Sequence, residues 1–453
     1  MKKFGLAYLM LPGYRAIFAM LALFIAALLI DALDSFGIEE RSDDAFESSV
    51  DRVLSVFYGG NDRVGQEEIT LIVIDQASLD YFHADGLTSH RSWPPDYELF
   101  ADLVMIARDY KPRAIFMDFY YGFPRDEPAV IADFAATLLS DPDIPVLIGP
   151  VSDDPALAPL KAVKQTSLQA QDVDIYPLSD GSGLPRPAVA LYNIICEQSP
   201  TPGCHNLPAN FMEKELAINW GFGMSDRMAR ITPEHMLESC RGGNIWQRIK
   251  TSSSLFWFNM NRSLNTQKLD KRECFYFDTI PAAWLFAPPE GIELEEFLNG
   301  RTILIGSDLE WLADRFESPL LGVLPGVTWH AMALDNLLEG KSAVRVPPGK
   351  VFLGIDALDL LEVILTLVAL ALAISSIRYA DNSWFSARRR LAVIIVLCAI
   401  ASIFTLIFTS WPAANALAVI LMATGLLWIG KSDSKTTELE MERTEQGDIS
   451  DET

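Results

Sequence analysis

The chain has 453 residues, with 36 Lys and Arg against 60 Asp and Glu, for a net charge of −24 at pH 7. That balance excludes nucleic acid as a partner, because phosphate binding needs a basic stripe, and it sets the charged part against anionic lipid. Half of the residues are hydrophobic and mean hydropathy is +0.19. The apolar residues gather in a short N-terminal block and a long C-terminal one, leaving room between them for one sizeable soluble domain.

Residues 1–15 carry Lys2, Lys3 and Arg15 and no acid, and residues 16–33 are apolar up to Asp31. This pattern predicts an uncleaved membrane anchor with a cytoplasmic N-terminus, since no small-residue cleavage site follows. Phe46, Val50, Val53 and Phe57 then fall on one face of a helix leading into the domain.

Residues 34–350 alternate strands and helices. Glu68–Asp75 and Arg113–Asp118 are apolar runs that end on a carboxylate, Ile144–Gly149 is a third run and Thr302–Gly306 a fourth. Between them, Tyr97–Tyr110 has apolar residues at helical spacing with Asp96 as its expected cap, and Pro128–Leu139 is a second helix. The order βαβαβ predicts an extracytoplasmic α/β domain with a mostly parallel, doubly wound sheet. Residues 153–275 are rich in Pro, Gly and Ser and read as an irregular α+β insertion, with a β segment at Leu216–Trp220. Val327 to Leu338 returns to helical spacing after the Pro-Gly turn at 325–326.

Beyond 350, residues 358–377, 391–409 and 411–430 are long apolar runs, and Arg378, Arg388, Arg389 and Arg390 lie between the first two. With the N-terminal anchor they predict four transmembrane helices, both termini cytoplasmic and the domain periplasmic, in a bacterial inner membrane. Residues 431–453 are acidic and without apolar periodicity, as expected of a disordered cytoplasmic tail.

Four of the five cysteines, Cys196, Cys204, Cys240 and Cys274, lie in the domain. Cys196 and Cys204 flank a Pro-rich turn and predict one disulfide, which leaves Cys240 with Cys274. Buried free thiols are the other possibility. Neither these cysteines nor the five histidines have metal-ligand spacing.

Four segments, LIVIDQASLDYF, RSWPPDYELFADLV, KPRAIFMDFYY and ILIGSDLEWLADRFESPLLGVLPGVTWHAMALDNLLEG, together resemble the CHASE2 domain, an extracytoplasmic sensory module of bacterial receptors. Two departures from the family pattern stand out: Gln76 where a second Asp is usual, and Trp93-Pro94-Pro95-Asp96 where Trp-Pro-Trp-Pro-Arg is usual. The resemblance implies a sensor, of a kind that normally precedes a cytoplasmic kinase or nucleotide cyclase, and the 23 residues of the tail cannot build such a domain, so a non-enzymatic protein without a cofactor is expected. It would act as a homodimer in the lipid bilayer, detect an extracytoplasmic ligand and relay it to a separate signalling or envelope protein. A scaffolding subunit of an envelope or secretion assembly is the alternative, and a metal-dependent hydrolase built on Asp75 and Asp118 a third.

The candidate ligand contacts are Asp75, Ser78, Trp93, Asp118, Gly306, Ser307, Asp314, Arg315 and His330. Asp75, Asp118 and Ser307 end parallel strands, the edge where open α/β sheets bind ligands. The competing role for the aspartates is helix capping. Asp314 and Arg315 serve either the pocket or a structural ion pair. His330 has no nucleophile elbow to serve, so packing or capping competes with ligand contact.

Overall fold

The computed structural model describes residues 64–168, 175–198, 215–232, 275–318 and 322–339, with isolated positions such as Tyr58 and Cys204. One unit of the chain runs from Ser49 to Pro347, and a second comprises Met1–Ser48 with Pro348–Thr453.

Ile69–Asp75 (β1) alternates sides: Ile69, Leu71 and Val73 enter one core, Ile72 and Ile74 the other, and none of these five is more than 6% exposed. A strand buried on both faces reads as a continuous apolar run, as this one does. Ala114–Met117 (β2), Val146–Ile148 (β3), Lys164–Gln165 (β4), Asp278–Pro281 (β7) and Thr302–Asp308 (β8) complete a six-stranded sheet in the order β4-β3-β2-β8-β1-β7. Every neighbouring pair is parallel. β8, the last of these in sequence, is threaded between β1 and β2, so the strand order reverses around it. Ile175–Pro177 (β5) pairs antiparallel with Glu215–Ala217 (β6), and Arg315–Ser318 (β9) with Gly322–Pro325 (β10).

Val64–Glu68 (α1) precedes β1. Gln76–Ala84 (α2), Tyr97–Asp109 (α3) and Pro128–Leu139 (α4) line one core, while Pro187–Gln198 (α5) and Gly326–Glu339 (α8) line the other. Asp226–Ile231 (α6) and Leu294–Leu298 (α7) are short. Twelve consecutive residues of α8, Val327 to Leu338, are buried, so this helix is enclosed on all sides. Gly306 allows that: a Cβ there would stand 2.5 Å from Val327 Cβ. Asn336 satisfies the polar interior, accepting from the Asn219 N–H at 2.8 Å and donating to Asn219 O and Met332 O at 2.9 Å.

No helix among the described residues is long and apolar enough to cross a membrane. The longest, α8, has 14 residues, or about 21 Å at 1.5 Å per residue, against a hydrocarbon core of roughly 30 Å. The four transmembrane helices expected at 16–33, 358–377, 391–409 and 411–430 are thus not part of the described fold, and those stretches lie outside the described residues save for single positions. The N-terminal segment, the helix expected at 46–57, the 431–453 tail and the Cys240–Cys274 pair also lie outside them. Cys196 and Cys204 do form a disulfide. Finally, Asp96 occupies the α3 N-cap position without capping it: Asp126 Oδ2 accepts from the Tyr97 N–H at 2.7 Å instead. The Asp96 carboxylate is held by Thr88, Ser89 and His90, the last at 3.1 Å.

Candidate functional site

A cavity of about 640 Å³ opens at the carboxyl ends of β2 and β8, beside the reversal of strand order. This is where the topology of an open parallel sheet places ligands, because the strand ends diverge there and leave a crevice. Asp118 and Phe119 enter it from the end of β2, and Ser307 from β8. The loop after β8 contributes Leu312, Ala313 and Asp314, β9 contributes Arg315 and Phe316, and the first turn of α8 contributes Gly326, Trp329 and His330. Aromatic rings supply much of the wall. Trp93 stands edge-on to Phe100 at 6.3 Å and Phe119 at 5.4 Å, and Phe100 stacks on Phe119 at 4.7 Å.

His330 is packed and, at the same time, on the cavity wall. Its side chain is 4% exposed and lies edge-on to Phe116 and Tyr176. The Tyr176 hydroxyl is 2.9 Å from His330 Nδ1 and accepts from the Ala188 N–H at 3.2 Å. Burial raises the Tyr176 phenol well above its usual range, so it keeps its proton. With Ala188 donating to the same oxygen, that proton goes to Nδ1, which assigns the ring hydrogen to Nε2. Nε2 faces Asp118 Oδ1 at 3.5 Å, an ion-pair distance longer than a good hydrogen bond. Asp118 is 7% exposed, and its other oxygen, Oδ2, is buried without a hydrogen-bond partner.

Asp314 faces the same space. Its Oδ2 accepts from Ser307 Oγ at 3.4 Å, and Gly326 leaves room for it, since a Cβ there would overlap Asp314 Oδ1. Burial first, and the nearby Asp118 charge second, push the Asp314 carboxyl up to about 7, partly offset by the Ser307 hydrogen bond. Its side chain is exposed, but onto the cavity, so water there screens part of that effect.

The two guanidiniums in the wall are engaged elsewhere. Arg125 lies over the Tyr97 ring at 4.1 Å and the Phe100 ring at 5.1 Å and donates to Pro95 O at 3.0 Å. Arg315 Nη2 stands 3.2 Å from Asp308 Oδ1, so its carboxylate partner is Asp308 and not the adjacent Asp314. Arg315 Nε is a buried donor without a partner.

Of the nine candidate residues, Trp93, Asp118, Ser307, Asp314, Arg315 and His330 are brought together on this cavity, and Asp75, Ser78 and Gly306 are not. Asp75 caps α2, accepting from the Ser78 N–H at 2.7 Å. Ser78 is fully buried, and its Oγ accepts from the Ala283 N–H at 3.2 Å. Gly306 serves helix packing. Sequence reasoning missed Phe100, Phe119, Tyr120, Phe123, Arg125 and Trp329. Phe119, Tyr120, Phe123 and Arg125 had a visible signal, because the FYYGFPR run crowds aromatics just after the Asp118 strand end.

A family model described as the CHASE2 domain matches residues 19–374. Neither a curated protein nor a solved structure gives a match.

Proposed function

The chain belongs to the CHASE2 domain family, whose members are sensory extracytoplasmic domains, and from that premise we propose that the cavity between β2, β8 and α8 is the ligand site of the sensor. The observation that carries this is the convergence of Asp118, Ser307, Asp314 and His330 on the wall of an aromatic-lined space of about 640 Å³. Cavities of this size suit small organic ligands, which are oriented by a few polar groups among apolar ones.

Binding rather than catalysis fits the groups present. His330 Nδ1 is taken by Tyr176, and Ser307 Oγ donates to Asp314 rather than to a histidine base. A nucleophile–base–orienter chain needs the opposite arrangement.

Relay of the bound state runs along α8. Its first turn forms the cavity wall through Trp329 and His330. In its last turns Asn336 Nδ2 donates to Tyr58 Oη at 2.9 Å, and Glu339 Oε1 accepts from the Gly65 N–H at 3.2 Å. A shift of this enclosed helix is thereby felt where the chain approaches β1, and from there it passes to a separate output protein. A ligand drives such a shift only by binding one arrangement better than the other.

A second reading, docking to an envelope protein, is favoured by the rim, where Tyr120 is 69% and Phe123 64% exposed. One experiment separates the two. A small-molecule library is screened by thermal shift against the full-length chain and against Ala313→Trp, which adds an indole at an exposed position of the cavity wall. Compounds that raise the Tm of the wild type alone support the ligand site. Compounds that act equally on both proteins refute it.

A further inference from the structure

We propose that the cavity takes an organic ammonium compound, with an aromatic or branched apolar body and a hydrogen-bond acceptor close to the ammonium; this rests on the reading of the cavity as the ligand site. Three features select the class.

The first is the state of the charges. Two carboxylates and two guanidiniums line the space, so formal charge alone favours neither sign. The guanidiniums are already served, however: Arg125 by two ring faces and Pro95 O, and Arg315 by Asp308. The carboxylates are not. Asp118 has one long contact to His330 and a buried second oxygen without a partner, and Asp314 has only the Ser307 hydroxyl at 3.4 Å. An ammonium brings three donors and a positive charge, and so answers the Asp314 carboxylate, which is exposed to the cavity, with the Asp118 charge acting on the same place.

The second is the wall. Trp93, Phe119, Phe316 and Trp329 line the same space. Aromatic faces attract a cation and also hold an apolar body, whereas they give a free carboxylate nothing.

The third is the Arg315 guanidinium on that wall, whose fork carries donors besides the Nη2 that meets Asp308. It calls for one acceptor on the ligand, a hydroxyl, carbonyl or carboxylate. Inorganic cations lack the body and the acceptor, and simple carboxylic acids lack the donor.

The pair of acids also has a pH consequence. Asp118 and Ser307 at the strand ends, His330 on α8, and Arg125 and Arg315 from the loop and β9 are the charged and polar groups lining the cavity with Asp314. Asp314 gains its charge only near pH 7, so its help to a cation is present at pH 8 and absent at pH 5.5.

The test is titration calorimetry on the full-length chain with phenylalaninol, phenethylamine, 3-phenyl-1-propanol and 3-phenylpropionate. The two ammonium compounds bind, phenylalaninol the tighter, and the alcohol and the acid bind at least about 10-fold more weakly, the least expected for one charge-assisted hydrogen bond. Asp118→Asn weakens phenylalaninol about 10-fold or more. Asp314→Asn, which keeps the shape, weakens it at pH 8 and leaves it within about twofold at pH 5.5, a pattern that mere unfolding would not produce. Equal or tighter binding of the acid or the alcohol, no binding by any of the four, or wild-type affinity in both variants overturns the proposal. Acid binding that Ala313→Trp abolishes would sink this class and keep the site, while ammonium binding that Ala313→Trp leaves intact would sink the site itself.

Discussion

Replacing Asp314 by Asn makes the protein more stable at alkaline pH and progressively less so as the pH falls. In the folded chain the Asp314 carboxyl is pushed from 3.8 up to about 7, by burial and then by the Asp118 charge. Unfolded chains ionise it near the lower value. Between the two values the folded state therefore binds more protons than the unfolded one, and stability falls as the pH rises. A raised carboxyl contributes its full stability below the unfolded value and has lost it above the folded one. At 1.36 kcal/mol per unit the shift corresponds to a ceiling of about 4 kcal/mol. Water in the cavity reaches the side chain, so the effective penalty is on the order of 1–2 kcal/mol. Asn carries no charge to be penalised, and any loss of the Ser307 hydrogen bond is the same at every pH. Thermal unfolding of wild type and Asp314→Asn at pH 5.5 and pH 8 should show the variant gaining with pH, by roughly 2–4 °C in Tm per kcal/mol. Lower pH is avoided because the chain approaches its pI near 4.6. A Tm difference that stays constant between the two pH values would refute the reasoning.

Asp278 gives a prediction of opposite kind. It is fully buried, accepts from Ser225 Oγ, and lies 2.6 Å from Arg227 Nε and 3.1 Å from Arg301 Nη1. Asp278→Ala leaves the two guanidiniums to Glu67, whose Oε2 lies 2.6 Å from Arg227 Nη2 and 3.5 Å from Arg301 Nη2, and should cost about 3–5 kcal/mol in urea unfolding; a loss below about 1 kcal/mol would show that Glu67 alone compensates them. Gly306→Ala forces β8 and α8 apart at the Val327 contact and should cost about 1–3 kcal/mol. Its Tm should fall accordingly, and an unchanged Tm would mean that the helix gives way at no expense.

The sheet was legible where burial on both faces makes a strand a continuous apolar run. β1, β2 and β3 lie within the runs expected of them, and β8 covers the run expected at 302–306 and continues to Asp308. Their order was not, because β8 lies far beyond both β1 and β2 in sequence and inserts between them, a choice set by packing rather than by local pattern. The same limit applies to partners. Arg315 stands beside Asp314 in sequence, yet alternation along an extended chain carries neighbouring side chains apart, and Arg315 reaches Asp308. Asp75 and Asp118 are indistinguishable in sequence, each ending a buried strand. What separates them is the next residue: α2 begins at Gln76 and claims the Asp75 carboxylate as its cap, whereas Asp118 is followed by a loop that leaves the carboxylate facing the cavity. Membrane-spanning helices were expected from the apolar blocks, and the described fold holds no helix long enough to be one.

The relay proposed above turns on His330, which belongs both to the cavity wall and to α8. Enclosure on all sides normally fills a helix with apolar residues, yet α8 buries His330, Asp335 and Asn336. Such polar groups have low energy only in the arrangement that satisfies them, so they select one seating of the helix over its near alternatives. His330 is tied at Nδ1 to Tyr176 and faces Asp118 with Nε2, while Asn336 ties the far end to Asn219 and Tyr58. A cation that draws Asp118 toward the cavity weakens its hold on the His330 Nε2–H while leaving the Tyr176 bond intact. The helix is then less firmly seated at the end that faces the ligand. Removing the Tyr176 hydroxyl with Tyr176→Phe frees His330 Nδ1 and unseats that end without any ligand. Hydrogen exchange of the α8 amides should therefore rise both in Tyr176→Phe and in the ligand-bound wild type, and protection unchanged in both would separate the cavity from the helix.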